Sequence, residues 1–222
     1  MPIEINQIIR SQRKTLALIV KPNGSLIVRA PYRIAETSIR EFVEDNALWI
    51  EKKQAEVQEI IPLPPKQYIL GDIFMYLGNA YPLEVVKGQE QPLLLEENFK
   101  IAASAQSYAA LAFERWYRRQ ARDILNEHVD LYAKQYNLQY KKIRITSARS
   151  RWGSCSANGS LNFSWRLIMT PIEVVEYVVI HELVHTVFHN HSKRFWKKVQ
   201  KIMPDYKERR KWLRKNGQRL IL

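Results

Sequence analysis

The sequence has few of the features that mark secreted or membrane proteins. It contains one cysteine, Cys155, so no internal disulfide can form and a secreted disulfide framework is excluded. No run approaches the roughly 20 apolar residues of a transmembrane helix. The first residues also lack the basic start and apolar stretch of a signal peptide. We therefore expect a folded protein of the cytoplasm.

Acidic residues are scarce near the end of the chain. Hydrophobic residues make up 46% of the sequence and charged residues 26%, which is typical of a globular protein and argues against a disordered chain. The net charge is +13, and residues 193–222 hold twelve Lys or Arg against two acids, Asp205 and Glu208. This segment could attract nucleic acid, nucleotides or another acidic partner. It could equally be the solvated face of two helices. The sequence does not indicate an oligomeric state.

The first half of the chain has mostly short β-like segments. Alternating apolar residues flank Asn23-Gly24, which predicts a hairpin between residues 16–20 and 26–28. Helical spacing from about residue 35 to 60 predicts one amphipathic helix, and the prolines that follow at residues 62–65 predict a connection. Short strands with Gly turns are expected at 68–70, 73–77, 81–86, 93–95 and 99–101. We therefore take residues 1–105 as a β-rich N-terminal region.

The second half is mainly helical. A long helix is expected from about residue 107 to 136, and a strand pair at 143–150 and 160–168 flanks a second Asn-Gly turn, Asn158-Gly159. Thr170-Pro171 resembles a helix start, and that helix should continue to about residue 188. Two shorter helices are expected at 192–202 and 205–215. The pattern predicts an α+β fold in which residues 106–222 form the catalytic domain with basic C-terminal helices.

The helix predicted after Pro171 contains the pattern His-Glu-x-x-His. His181 and His185 are four residues apart, so both imidazoles can face one metal ion. Glu182 can reach a metal-bound water without binding the metal itself, and can accept the proton of that water. Four of the five histidines lie within residues 181–191, inside a Val-rich buried helix. Ionisable residues in such a helix indicate a metal site more strongly than a structural role.

A third histidine should complete the site, because catalytic zinc usually has three protein ligands and an open position. His189 and His191 are the nearby candidates. On one continuous helix His181 and His189 would lie about 12 Å apart along the axis, at about 1.5 Å per residue. We therefore prefer His191, placed after a helix end at Asn190, and retain His189 as the alternative.

Several separated motifs occur in the order typical of a known family. With them, the sequence resembles the YgjP-like family of metal-dependent hydrolases, which is related to the SprT-like and WLM zinc metallopeptidases. The resemblance covers most of the chain. The motifs are Arg151-Trp152-Gly153-Ser154-Cys155-Ser156, Leu161-Asn162, Trp165-Arg166-Leu167, His181-Glu182-Leu183-Val184-His185, Asn190-His191-Ser192 and Phe195-Trp196.

The resemblance implies a site and a fold. It places the third ligand at His191, and it implies a gluzincin-like α+β unit in which a sheet edge near the active-site helix can hold an extended substrate. Arg151, Asn162 and Arg166 are candidates for substrate binding. The simpler interpretation of the Arg151 segment is structural, with Trp152 and Cys155 packed in a hairpin.

Three functions remain open from the sequence. The first is a Zn²⁺-dependent peptidase in which Glu182 is the general base. The second is a metal-dependent nucleotide phosphoanhydride hydrolase, a nucleoside triphosphate pyrophosphatase, whose basic tail attracts phosphates. The third is a protease module that residues 193–222 deliver to nucleic acid.

Overall fold

The structure is a computed structural model that describes residues 3–21, 23–58, 66–217 and 220. The chain divides into two compact units, Met1–Leu63 and Pro64–Leu222. The predicted connection at residues 61–65 lies outside the described residues. The functional boundary predicted at residue 105 falls inside the second unit and stays a prediction.

The first unit contains a three-stranded mixed sheet. Its strands are β1 (Gln7–Ser11), β2 (Ala17–Val20) and β3 (Leu26–Pro31), in the order β1-β3-β2. The predicted hairpin is confirmed: β2 and β3 are antiparallel, with Val20 opposite Leu26. Gly24 in the turn has a φ of 81°, a conformation that glycine adopts without steric cost. β1 pairs with β3 in parallel, so β3 is the central strand.

Two helices follow where a single one was predicted. α1 (Glu36–Asp45) and α2 (Ala47–Gln58) are separated at Asn46. The prediction of one helix was wrong because the Asn46 side-chain amide donates to the Phe42 carbonyl and caps α1 there. Apolar side chains of β3, α1 and α2 form the core of this unit: Leu26, Val28, Ala30, Ile39, Val43 and Ile50.

The second unit begins with a four-stranded sheet and a long helix. The strands are β4 (Ile73–Tyr76), β5 (Asn79–Val86), β6 (Leu93–Leu95) and β7 (Phe99–Ala102), in the order β4-β5-β7-β6. A 3-10 turn leads into helix α3 (Ala109–Tyr136), close to the predicted bounds. The Phe74 and Phe113 rings stack with centroids 3.9 Å apart, which joins β4 to α3. The strand predicted at 68–70 is absent, because the Tyr68 N–H donates to the Asp72 side chain in a tight turn.

A second, three-stranded sheet comes next. It contains β8 (Lys142–Thr146), β9 (Gly153–Cys155) and β10 (Ser160–Ser164), in the order β8-β10-β9. The predicted turn at Asn158-Gly159 is present, but the antiparallel partner of β10 is β9 and not residues 143–150. β8 instead pairs with β10 in parallel. The short strand β9 therefore occupies an edge of this sheet.

Three helices complete the unit: α4 (Ile172–His185), α5 (Lys193–Ile202) and α6 (Tyr206–Asn216). The segment before α4 is bonded to the turn after β4, because the Leu77 N–H donates to the Ile168 carbonyl. This bond fixes the start of α4 against the four-stranded sheet. A Cβ at Gly78 would lie 2.9 Å from Pro171 Cγ, so a glycine is required at this contact. α4 ends at His185, earlier than predicted, and leaves a loop before α5.

The mixed helix and strand content, with a sheet first and helices later, confirms the predicted α+β class. Among the residues that the structure describes, no helix has both the length and the hydropathy needed to cross a bilayer. The apolar faces of α5 and α6 pack onto the unit through the buried side chains of Phe195, Val199 and Tyr206. Most of their Lys and Arg side chains are exposed. An interaction of this basic face with nucleic acid stays a prediction.

Candidate metal centre

Helix α4 carries His181, Glu182 and His185 through the interior of the second unit. Apolar residues surround these three side chains, and Val179, Ile180, Leu183 and Val184 are at most 1% exposed. A helix that is apolar on nearly all sides is typical of a buried core element. The polar side chains on α4 are therefore held by a rigid and well-packed helix.

Three imidazole nitrogens converge at one point. The Nε2 atoms of His181 and His185 are 3.2 Å apart, those of His185 and His191 3.2 Å, and those of His191 and His181 3.0 Å. Each Nε2 carries either a proton or a lone pair, so three adjacent Nε2 atoms cannot all be paired by hydrogen bonds. A shared cation would satisfy all three. Nitrogen ligands about 2.0–2.1 Å from a tetrahedral zinc lie about 3.3 Å from one another, so the three residues fit such an ion.

Burial favours the neutral form of the two histidines on α4. The pKa of His181 is lowered to about 3, mainly by burial and then by the neighbouring His185 and His191. Burial also lowers the pKa of His185. The Nδ1 of His185 lies 2.9 Å from the Phe188 carbonyl, and donation of the Nδ1 proton to it leaves the Nε2 lone pair directed at the cluster. Neutral imidazole is the form that binds metal ions.

Two aromatic residues of α5 hold the histidine rings in place. The Phe195 ring is fully buried, with its centroid 4.4 Å from that of His185 and 4.9 Å from those of His181 and His191. The Trp196 ring stacks on His191 at 5.6 Å. The sequence motif Phe195-Trp196 is thus a packing element, but its partners are the candidate metal ligands.

Glu182 lies next to this cluster and is only 6% exposed. Its side chain packs over Gly153 of β9, where a Cβ atom would lie 2.7 Å from both Cγ and Oε1 of Glu182. Burial raises the pKa of Glu182 to about 8, and the nearby Arg151 and a hydrogen bond from the Cys155 backbone act in the opposite direction. The absence of a side chain at Gly153 provides the space that this carboxyl group occupies.

A cavity of about 470 Å³ opens over the cluster. Its walls are formed by α4, the loop after α4 and edge strand β9. The lining residues are Gly153, Ser154, Cys155, Ala157, His181, Glu182, His185, His189 and His191. A buried carboxyl group, three convergent imidazoles and a half-buried strand at the edge of its sheet therefore share one open cavity.

The alternative ligand His189 and the thiol of Cys155 both lie in the cavity but outside the cluster. His189 lines the wall, yet the three residues with convergent ligand atoms are His181, His185 and His191. Cys155 also lines the wall. Burial is the main cause that raises the pKa of its thiol, and the charge of Glu182 is the second. The thiol donates to the Ser156 carbonyl at 3.4 Å.

The three candidate substrate-binding residues lie outside the cavity lining. Arg151 is exposed and close enough to Glu182 to lower its pKa. The Asn162 amide is 3.3 Å from Ser154 Oγ and 3.4 Å from the Ser154 carbonyl, next to β9. Arg166 lies over the Trp165 ring at 4.1 Å and donates to the Ser147 carbonyl. Their role in substrate binding stays a prediction.

Other residues contribute to the site without having been predicted. The Tyr177 ring, one turn before His181 on α4, lies 5.9 Å from the His181 ring. This contact follows from i,i+4 spacing and could have been found in the sequence. Arg210 of α6 stacks over Trp196 at 4.9 Å and contributes to the low pKa of His181. Arg210 comes from a helix distant in sequence, so no local pattern indicates it.

Comparison with known proteins agrees with this geometry. A family model described as YgjP-like, metallopeptidase domain, matches residues 14–216 of the chain. A search of curated proteins gives no match. The matched range includes most of both compact units, with the histidine cluster and Glu182 inside it. The chain therefore belongs to the YgjP-like metallopeptidase family, a family of metal-dependent hydrolases.

Proposed function

We propose that the protein is a zinc-dependent peptidase. His181, His185 and His191 bind the ion, and Glu182 is the general base. The observation that carries this proposal is the triangle of Nε2 atoms, 3.0–3.2 Å on each side, in one cavity with a buried carboxyl group.

The chemistry of the donors supports zinc. Three neutral imidazoles on one side of an open cavity are the ligand set of many catalytic zinc sites, whose fourth position is open. Oxygen-seeking ions such as Mg²⁺ prefer carboxylates and carbonyls as ligands. When bound, zinc would lower the pKa of a coordinated water to about 7 and polarise the scissile carbonyl group.

Glu182 would move the protons. Its carboxylate accepts a proton from the attacking water and passes that proton to the leaving amine, as general base and then general acid. The Glu182 side chain lies in the cavity beside the three imidazoles, which suits a group that passes a proton from the water to the amine. Gly153 and the Cys155 backbone hold the carboxyl group in one position.

A peptide fits this cavity better than a nucleotide. β9 is an edge strand whose three residues line the cavity, so an extended peptide could pair with its backbone beside the cluster. The residues that line the cavity, all of them described, include Glu182 but neither lysine nor arginine. A triphosphate needs cations or a backbone cradle at its phosphates. This lining therefore favours the peptidase over the nucleotide hydrolase.

The decisive experiment compares Glu182→Gln with the unmodified protein on a panel of peptides and nucleoside triphosphates. We expect peptide cleavage that falls by about 100- to 10,000-fold in the variant, the usual contribution of a general base. Zinc content, measured by atomic absorption, should stay at one ion per chain. Nucleotide turnover without peptide cleavage would overturn the substrate assignment.

Glu173→Gln is the matched control. Glu173 is an exposed residue in the first turn of the same helix, two turns before the histidines. The substitution makes the same chemical change away from the cavity, so activity and zinc content should both be retained. A similar loss of activity in both variants would show that Glu182 has no specific role.

A further inference from the structure

A second cavity lies between the start of β6 and helix α3. Its volume is about 400 Å³, within the range of about 300–1,000 Å³ that is usual for small-molecule sites. No residue that lines it also lines the cavity over the histidine cluster. The lining residues are Gln91, Pro92, Leu93, Tyr108, Ala112, Arg115, Trp116 and Arg119.

The arginines of α3 divide into two groups. Arg118 is engaged: it donates to Glu114, to the Ile145 carbonyl and to Ser147. Arg115 and Arg119 are exposed and line the cavity. Among the residues that the structure describes, neither has an ion-pair or hydrogen-bond partner. Two cations one helical turn apart, without an acidic partner, are available to an external anion.

The charge of this pair indicates which anion fits. One carboxylate would be satisfied by a single guanidinium, which binds its two oxygens with two parallel N–H groups. A phosphomonoester carries a charge of about −1.5 to −2 at neutral pH and three terminal oxygens. Two unpaired guanidinium groups therefore match a phosphomonoester in charge and in number of donors.

The remaining walls suit a planar apolar body. Trp116, which is 8% exposed, and Tyr108, which is 43% exposed, both line the cavity. Pro92 and Leu93, at the start of β6, also line it. Aromatic side chains of this kind stack on planar rings, and the phenol ring of Tyr108 is accessible from the solvent.

We propose that this cavity binds a small phosphomonoester that carries a planar ring, with the phosphate between Arg115 and Arg119 and the ring against Tyr108 and Trp116. The site is separate from the histidine cluster and does not depend on the peptidase assignment.

Phenyl phosphate is the probe, and titration calorimetry on the full chain is the measurement. We expect it to bind at least about tenfold more tightly than inorganic phosphate, phenol or benzoate, since each of these lacks the ring, the phosphate or the second charge. Arg115→Gln and Arg119→Gln should each weaken binding by about tenfold or more. Benzoate binding as tight as that of phenyl phosphate would overturn the assignment of a phosphomonoester.

Arg122→Gln is the matched control, because Arg122 is exposed on the same helix but does not line the cavity. The affinity of this variant for phenyl phosphate should be unchanged. If it lost as much affinity as the Arg115 and Arg119 variants, the binding would reflect only general attraction of an anion by a basic protein. Removal of metal with a chelator should also leave the affinity unchanged. Loss of binding on chelation would place the anion at the histidine cluster and overturn the proposal.

Discussion

The two compact units differ in what they bury. The core of the first unit consists of apolar side chains from β3, α1 and α2. The second unit has a much larger apolar core, and among its described residues four polar side chains are also buried, all of them between residues 160 and 182. Three of these are hydroxyls with hydrogen-bond partners: Ser160 bonds Asn158, Ser164 the Ala148 carbonyl and Thr170 the Leu167 carbonyl.

Glu182 is the exception in this comparison. Among the described residues it is the one carboxyl group classed as buried, and burial makes its ionised form costly, as the raised pKa shows. A buried hydroxyl with a hydrogen-bond partner contributes to folding, whereas a buried carboxyl group with a perturbed pKa in a cavity indicates function. Substitutions in the first unit should therefore affect stability alone, and substitutions of the polar residues that line the cavity over the histidine cluster should affect activity more than stability.

The largest effect should come from the third histidine. His191→Ala removes one of three convergent nitrogens, and we expect loss of bound zinc and a fall in activity of more than about 100-fold, which exceeds the usual cost of losing a residue that only hydrogen-bonds to a metal ligand. His189→Ala is the matched control, because His189 lines the same cavity outside the cluster. Zinc content and peptide cleavage are the measurements. Greater zinc loss in His189→Ala than in His191→Ala would contradict the assigned ligand set.

The next effect compares two glycines, one in each unit. Gly153→Ala places a Cβ 2.7 Å from the Glu182 carboxyl group and should displace it, with a fall in activity of about 100-fold and retained zinc. Gly24→Ala meets no atom within 4 Å but has a φ of 81°, so it should lower the free energy of unfolding by about 1–2 kcal/mol and leave activity unchanged. Kinetic and denaturation measurements on both variants test the comparison. Equal loss of activity in the two would contradict it.

The sequence could indicate the three convergent histidines because its signals are local, and their role as metal ligands stays a prediction. The spacing of His181 and His185 depends only on helix geometry. The choice of His191 over His189 depends on the chain leaving the helix, and α4 does end at His185. Glu182 is adjacent to His181, so its position required no tertiary information.

Long-range features could not be predicted in the same way. The antiparallel pairing of β9 with β10 replaced the expected pairing of residues 143–150, because register depends on tertiary contacts that no local pattern specifies. The space for Glu182 above Gly153 depends on that pairing. The separation of α1 from α2 at Asn46 depended on one side-chain hydrogen bond. Arg115 and Arg119 were distinguishable from Arg118 only after packing had given Arg118 its partners.

Stability of the first unit provides a third test. Ile39 is fully buried in the small core, so Ile39→Ala should lower the free energy of unfolding of this unit by about 2–5 kcal/mol. Ile19 on β2 is 38% exposed, and Ile19→Ala should have a much smaller effect. Zinc content should be unchanged in both variants. Loss of zinc in Ile39→Ala would show that the first unit also supports the metal centre.

The smallest expected effect comes from helix capping, which can be compared at one helix start in each unit. Ser192 Oγ accepts the Phe195 N–H at the start of α5, whereas Ala35, the residue before α1, provides no side-chain cap. Ser192→Ala should lower the free energy of unfolding by about 1 kcal/mol, and Ala35→Asp should raise it by a similar amount. Because Phe195 contacts all three histidine rings, only the Ser192 variant should also weaken zinc binding, which competition with a chromogenic chelator measures. Weaker zinc binding in Ala35→Asp would contradict the separation of stability from function between the two units.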